Sequence, residues 1–290
     1  MTRTLDRPSD GSALSPVQVK RLIHASLGLL PVEEPKPTVP VEGHVCDMPI
    51  WSFSKSRIPR LHIDYDDGSF FTLTAPEGMP GPSFPGYLDC ILFYGQRDLF
   101  ISEHTEISVY RILKTLGLDP SNGVNYARFR QDLHRAFVMY IVTDRFRHPE
   151  TGKRSHVYYF RAMQNMVLAK SRREVSTFYF DGLFLKSLRS GYLKRLDFDF
   201  ALHLDRQGEA LARFIYGHLL KRLGEKSIYQ RSVTGFLNDI GLGHVARMET
   251  KRRNERLART VFPALDLLKG EVIRHYDVDG KGNLFFIPKR

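Results

Sequence analysis

The stretch TKRRNERLARTVFPALDLLKGEVIRHYDVDGKGNLFFI, residues 250–287, decides the fold. It reads as a basic helix that runs straight into a two-stranded hairpin. Lys251, Arg252, Arg253, Arg256 and Arg259 crowd the front of the helix, with Asn254 among them. Leu257, Val261, Ala264, Leu265 and Leu268 recur at three- and four-residue spacing, so one stripe can bury while the cations stay in water. Gly270 stops the helix. Residues 272–276 alternate as a strand, Asp279-Gly280-Lys281-Gly282 makes a tight turn, and 284–287 returns. A basic helix followed by a β-hairpin is the layout of a winged helix. The helix can enter a major groove while the hairpin, with Lys281 at its tip, touches the phosphate backbone.

Upstream of this stretch, residues 205–223 form one long amphipathic helix, and 232–240 a short one ending at Gly241. The first half of the chain runs in a similar order. Residues 87–97 make an apolar helix, 100–101 a short strand, and 105–116 a helix closed by Gly117. Residues 125–136 form a helix bearing Arg128, Arg130, Gln131, His134 and Arg135. Then 137–146 and 155–161 pair across a turn that carries Lys153 and Arg154. Leu116-Gly117-Leu118 and Ile240-Gly241-Leu242 punctuate both halves alike, which marks an internal repeat of structure with little sequence identity. Residues 177–195 supply a strand and a short helix between the halves.

Ahead of the repeat, Ser15-Pro16 starts an amphipathic helix over 17–30. A proline-rich linker, PVEEPKPTVPVEG, follows over 31–43 and favours extended chain. Residues 51–53 and 61–73 read as strands, the latter folding back at Asp66-Asp67-Gly68. A breaker-rich loop spans 76–86. The expected fold class is α+β: two winged-helix domains in tandem, preceded by a flexible N-terminal arm and a small β element. The expected boundaries are 1–47 for the arm and linker, 48–195 for the first winged helix with its preceding strands and interdomain segment, and 196–290 for the second, DNA-binding domain.

Bulk properties restrict the function classes. The chain has 290 residues, 42% of them hydrophobic, which suits two domains with real cores and excludes wholesale disorder. Its formal net charge is +11, which favours a polyanionic partner. Cys46 and Cys90 are too few for a disulfide scaffold or a metal cluster and fit a reducing cytoplasm. No apolar run reaches the length of a membrane span, and the N-terminus has no apolar signal core. The expectation is therefore a cytoplasmic protein, bacterial and nucleoid- or plasmid-associated, with no membrane partner.

No catalytic set can be assembled. Gly152-Lys153-Arg154 lacks the upstream glycine and the hydroxyl of a phosphate-binding loop. Asp277-x-Asp279-x-Lys281 lacks the further acidic ligands of a calcium loop and reads as a turn. A nicking enzyme needs two histidines on one strand near a nucleophilic tyrosine; His62-x-Asp64 and His203-x-Asp205 offer one each. The expectation is no enzyme, no metal and no cofactor. Cations on a helix are usually just a solvated face. At Lys251–Arg259 they crowd a helix start, against the macrodipole, which a purely structural purpose would avoid. Arg252, Arg253, Asn254 and Arg256 suit base edges, whereas Lys251, Arg259 and Lys281 suit phosphates.

The layout from residue 50 to 290 resembles the replication initiator proteins of bacterial plasmids, the group built from two winged helices. TEISVYRILKTLGL (105–118) ahead of NYARFRQDLHRAFVMYIVTD (125–144) is similar to that family's first domain. FYFDGLFLKSLRSGYLKRLDFDFALHL (178–204) resembles its interdomain passage, and RQGEALARFIYGHLLKRLG (206–224) the helix opening its second domain. The resemblance implies binding to repeated double-stranded sites in a plasmid origin, local opening of the duplex, and recruitment of host replication proteins. It also implies a homodimer that represses its own gene, and a C-terminal domain that makes much of the specific contact. The rivals are a winged-helix transcriptional regulator without an initiator role, a basic interaction protein with no specific site, and a nicking initiator.

Overall fold

The computed structural model describes residues 37–42, 49–52, 59–65, 67–99, 101–146, 151, 153–154, 156–161, 163–171, 173–189, 193–223 and 227–289. The helix expected over 17–30 lies outside them. The first elements are β1 (Thr38–Glu42), β2 (Arg60–Asp64), β3 (Phe70–Thr74), α1 (Phe84–Leu99), β4 (His104–Ser108), α2 (Val109–Thr115) and α3 (Gly123–Val138). Next come β5 (Tyr140–Thr143), β6 (Tyr158–Phe160), β7 (Met163–Val167), β8 (Val175–Phe180), α4 (Gly182–Arg189) and β9 (Leu193–Asp197). The last part holds α5 (Phe198–Gln207), α6 (Ala210–Leu223), β10 (Tyr229–Ser232), α7 (Val233–Asp239) and α8 (Gly243–Ala246). It closes with α9 (Thr250–Arg256), a π-helical turn (Leu257–Val261), α10 (Phe262–Asp266), β11 (Ile273–Val278) and β12 (Asn283–Pro288).

Two winged helices stand out by topology. In the second, α6, β10, α7 and the α9–α10 helix lead into the β11–β12 hairpin, and the sheet order is β10-β12-β11. In the first, α1, β4, α2 and α3 lead to β7 and β8, and the order is β4-β8-β7. All neighbours are antiparallel, with the last strand in the middle both times. Each hairpin also slips register one residue into its first strand, between Met163 and Asn165 and between Ile273 and His275.

The repeat reaches the sequence as well. ISVYRILKTLGL (107–118) lies over RSVTGFLNDIGL (231–242), sharing Ser, Val, Leu, Gly and Leu. Ser108 and Ser232 cap their helices by accepting from the backbone N–H of Arg111 (3.3 Å) and Gly235 (3.1 Å), which satisfies an otherwise orphan donor. Gly117 and Gly241 end those helices at φ 71° and 76°, a left-handed conformation that costs other residues. Leu118 N–H then reaches Leu113 O at 2.9 Å, and Leu242 N–H reaches Leu237 O at 2.7 Å, the closing bonds of a Schellman turn.

Several expectations are corrected. Residues 105–108 are strand, not the first turn of a helix, because Ser108 serves as the cap and the helix starts at Val109. Ile101 lies in a turn rather than a strand. The helix expected over 205–223 is two helices, α5 and α6, parted at Gly208 with φ 76°. Trp51 and Ser52 are not strand; Trp51 is buried with its ring edge-on to Phe214, 5.3 Å between centroids. The linker's end is itself a strand, β1, which pairs antiparallel with β9.

The largest correction concerns the first wing. The hairpin over 137–161 is not the wing. Its strands, β5 and β6, extend the β2–β3 hairpin into a four-stranded sheet of order β2-β3-β5-β6. Phe71, Leu73, Ile141 and Phe160 face one side of that sheet and are buried, which fixes its register. Its β5–β6 half is inserted between α3 and the true wing, β7–β8, while β2–β3 precede α1.

The described residues from 38 onward form one compact unit. A buried ion cluster joins its halves. Arg213 of α6 donates to Asp89 of α1, and its Nε lies 3.8 Å from Asp205 of α5. Asp89 and Arg213 occupy equivalent places on the first helix of each repeat. Burial pushes the Asp205 carboxyl up to about 7, against the pull of Arg213 and with the neighbouring Asp89 charge adding to it.

Candidate nucleic-acid interface

The α9–α10 helix is built as its sequence implies. Leu257, Val261, Ala264, Leu265 and Leu268 are buried, so they pin one side to the core. The π-helical turn at Leu257–Val261 falls just ahead of Pro263, whose ring nitrogen offers no N–H to the preceding turn. Lys251, Arg252, Asn254, Arg256 and Arg259 are exposed, and Arg253 is half-buried. Among the described residues none of these five cations makes an ion pair.

The cations divide between two sides of the helix. Thr250, Arg253 and Asn254 line a cleft of about 710 Å³ whose far wall is the 277–282 turn, with Lys281, and whose floor includes Ser232 and Thr234. Arg253 Nε is shielded from solvent there without a hydrogen-bond partner, an arrangement that a ligand oxygen would satisfy. Arg256 instead borders an apolar cleft with Trp51, Met248 and Thr260.

The wing is stiffened locally. Asp279 accepts from the backbone N–H of Lys281 (2.9 Å) and Asn283 (2.8 Å) and from the Asn283 side chain (3.0 Å). These bonds, that from Asn283 foremost, lower the Asp279 carboxyl and occupy the group that the calcium-loop reading would have needed. Val233 N–H donates to Gly282 O at 3.0 Å, tying the turn to α7. Tyr276 OH donates to Phe262 O (3.2 Å) and lies 3.0 Å from Asp266 Oδ1, which joins the wing's first strand to the helix. Lys281 is thereby presented from a fixed turn.

The first winged helix presents less. Arg128, Arg130 and Gln131 are exposed on α3. Arg135 is half-buried, with Nη1 3.6 Å from Asp132, a buried carboxylate that also accepts from Gly81 N–H at 2.8 Å. Arg135 is thus held against the protein. Lys153 and Arg154 sit on the β5–β6 hairpin, away from the wing strands, and Arg154 donates to Asp67 at 2.7 Å. The residues that do occupy the first wing are Lys170 and Arg173, both exposed, in the turn between β7 and β8. Tyr126 OH donates to Ala169 O at 3.1 Å, joining α3 to this wing as Tyr276 joins α10 to the other. Sequence reading missed that pair. The signal was a basic turn, LAKSRRE, between two short runs, MQNMV and VSTFYF.

The remaining candidates settle simply. His62 lies 2.7 Å from Thr72 Oγ1 and 3.1 Å from Asp64 Oδ1, a satisfied strand histidine. Asp205 is committed to the buried cluster while His203 is exposed. No group of three His, Cys, Asp or Glu among the described residues is placed to hold a metal ion. Among them no helix is long and apolar enough to cross a membrane.

No protein-family model matches the sequence, and no curated protein matches it. Solved structures do match. Domains 2 and 3 of RctB superpose with a TM-score of 0.56 at 12% identity, over 86% of this chain and 99% of theirs. A second structure of RctB domains 2–3 gives 0.51 at 11% identity, over 85% of this chain and 97% of its own. The Pi initiator protein in complex with iteron DNA gives 0.50 at 9% identity, over 89% of this chain and 100% of that one. At these identities the likeness is one of fold, and the chain shares with all three structures two winged helices in tandem.

Proposed function

We propose that this chain is a sequence-specific double-stranded DNA-binding protein that initiates plasmid replication. It binds repeated sites in the origin and distorts the duplex, with no covalent step. The observation that carries this reading is the run of cations from Lys251 to Arg259 that no carboxylate among the described residues neutralises, with Arg253 and Asn254 facing a rigid wing across one cleft. A structural helix would pair such charges or disperse them. A duplex supplies what they lack: base-edge acceptors for Arg252, Arg253, Asn254 and Arg256, and phosphates for Lys251, Arg259 and Lys281.

The first winged helix contributes phosphate contacts through Arg128, Arg130, Gln131, Lys170 and Arg173. Arg135, Lys153 and Arg154 contribute little, since Arg135 and Arg154 already have carboxylate partners and Lys153 lies off the wing. A neighbour of the same fold in complex with iteron DNA supports a DNA partner for this one. A homodimer, host replication proteins and a bacterial cytoplasmic setting belong to the same reading.

The test is a gel-shift and footprint on the DNA flanking the gene, in excess unrelated duplex. A discrete protected repeat, with strand opening beside it, supports the initiator reading. Protection at a promoter without opening would favour the transcriptional regulator. Binding that the competitor abolishes would leave only a basic surface.

A further inference from the structure

The β2-β3-β5-β6 sheet has a second face, opposite the one that packs on the core. Register assigns its residues. His62 stands opposite Thr72, Thr72 opposite Val142, and Val142 opposite Tyr159. In the next row Arg60 stands opposite Thr74 and Thr74 opposite Tyr140. Alternation puts Arg161, just past β6, at the end of that row. In the third row Asp64 stands opposite Phe70. The opposite face carries the buried Ile63, Phe71, Leu73, Ile141 and Phe160.

The outward face is open and aromatic. Tyr159 is 65% exposed, Val157 beside it is 47% exposed, and Phe70, Tyr140 and Val142 are half-exposed. Tyr140 and Tyr159 lie 6.1 Å apart between ring centroids, and His62 stacks on Phe70 at 6.2 Å. Two strand spacings put the two ring pairs roughly 10 Å apart across the sheet. Arg60 and Arg161 are exposed at one end of this face. Along the free edge of β2, His62 and Asp64 share a cleft of about 370 Å³ with His244 and Arg247. Two carboxylates also stand on this side, each with one bond to a neighbour on the face. Asp64 bonds His62 at 3.1 Å, and Asp144 accepts from Phe70 N–H at 2.8 Å.

We infer that the outward face of this sheet binds single-stranded nucleic acid, with unpaired bases stacking on Tyr159, Tyr140, Phe70 and His62 and with Arg60 and Arg161 holding phosphates. A face four strands wide is broader than a B-form major groove of about 12 Å, and paired bases offer no free face for a ring to cover. Splayed bases do, and an open four-stranded sheet with two aromatic clusters and a cationic rim has the geometry that takes two or three of them. This site goes beyond the duplex reading and can fail independently of it.

The test uses the full chain and fluorescein-labelled oligothymidylate of about 20 nucleotides, with labelled duplex in parallel. The variant Y140A/Y159A should lose roughly ten- to hundredfold in single-strand affinity, with duplex affinity unchanged. Y140F/Y159F keeps the rings and should bind as the parent does. R252A/R256A should weaken the duplex and spare the single strand. Circular dichroism melts confirm that each variant folds. A parent chain that ignores oligothymidylate would overturn the inference, as would Y140A/Y159A that binds it unchanged. Loss of single-strand binding in R252A/R256A alone would place the strand in the helix–wing cleft and also overturn it. So would Y140A/Y159A that sediments as a smaller species with unchanged single-strand affinity, since the face would then meet a second copy of this chain.

Discussion

Replacing Arg213 with Met tests whether the ion cluster welds the two winged helices. Arg213 is buried and serves two carboxylates, Asp89 and Asp205, which are buried too. Met keeps much of the volume but removes the charge, so two carboxyls are left in a dry site with no cation. Removing one partner of a buried pair costs about 3–5 kcal/mol. With a urea slope of about 3 kcal/mol per M for a chain of this size, the midpoint should fall by about 1–2 M at pH 7.5. The deficit should shrink at pH 5.5, because burial raises both carboxyls and protonation relieves their repulsion. The apolar replacement D89L/R213M/D205L should recover the parent midpoint or exceed it, since the desolvation cost of all three ions disappears. A midpoint for Arg213→Met within about 0.3 M of the parent at both pH values would refute the weld. Duplex affinity measured on the same variant reports whether the fixed spacing of the two reading helices matters to binding.

The parent chain should lose stability as pH rises from about 5 to 8. The Asp205 pKa is raised to about 7 in the fold, so between the unfolded value and 7 the folded state holds more protons, and each step upward in pH penalises it. Asp205→Asn should flatten that slope in urea midpoints taken across the range. Lys170→Ala with Arg173→Ala should weaken duplex binding and reduce its salt slope by about 2, whereas Arg154→Ala should leave both unchanged in anisotropy titrations. Tyr276→Phe loses the link from wing to helix and should cost about 1 kcal/mol in urea unfolding, with faster hydrogen exchange at 273–278.

Much of the second winged helix was legible because its signals are local. The Leu257 to Leu268 stripe, the glycine at 241 and the 279–282 turn each follow from neighbours within a few residues. The first winged helix was read in the right order but with the wrong hairpin. Tyr140–Thr143 alternates well, yet its partner is β3, more than sixty residues earlier, and nothing local announces such a pairing. The true wing was hidden because Met163–Val167 buries mainly its first residue and leaves polar Gln164 and Asn165 exposed. β10 escaped for a similar reason, four residues with Gln230 and Ser232 exposed. The α5–α6 break sits inside a continuous helical pattern and turns on Gly208 alone. Among the site residues, sequence marked the α9 cations, but it could not reveal that Arg135 and Arg154 are held by Asp132 and Asp67. The ring-lined sheet face was out of reach, because Tyr140, Tyr159, Phe70 and His62 meet only through tertiary register.

The most direct test of the central claim is competition footprinting of the parent chain against R252A/R253A/R256A on the DNA flanking the gene. The parent should give a discrete protected repeat that survives excess unrelated duplex, and the variant should lose roughly 1–3 kcal/mol of discrimination per base contact while keeping residual, salt-sensitive binding. Identical footprints for the two proteins would contradict the claim.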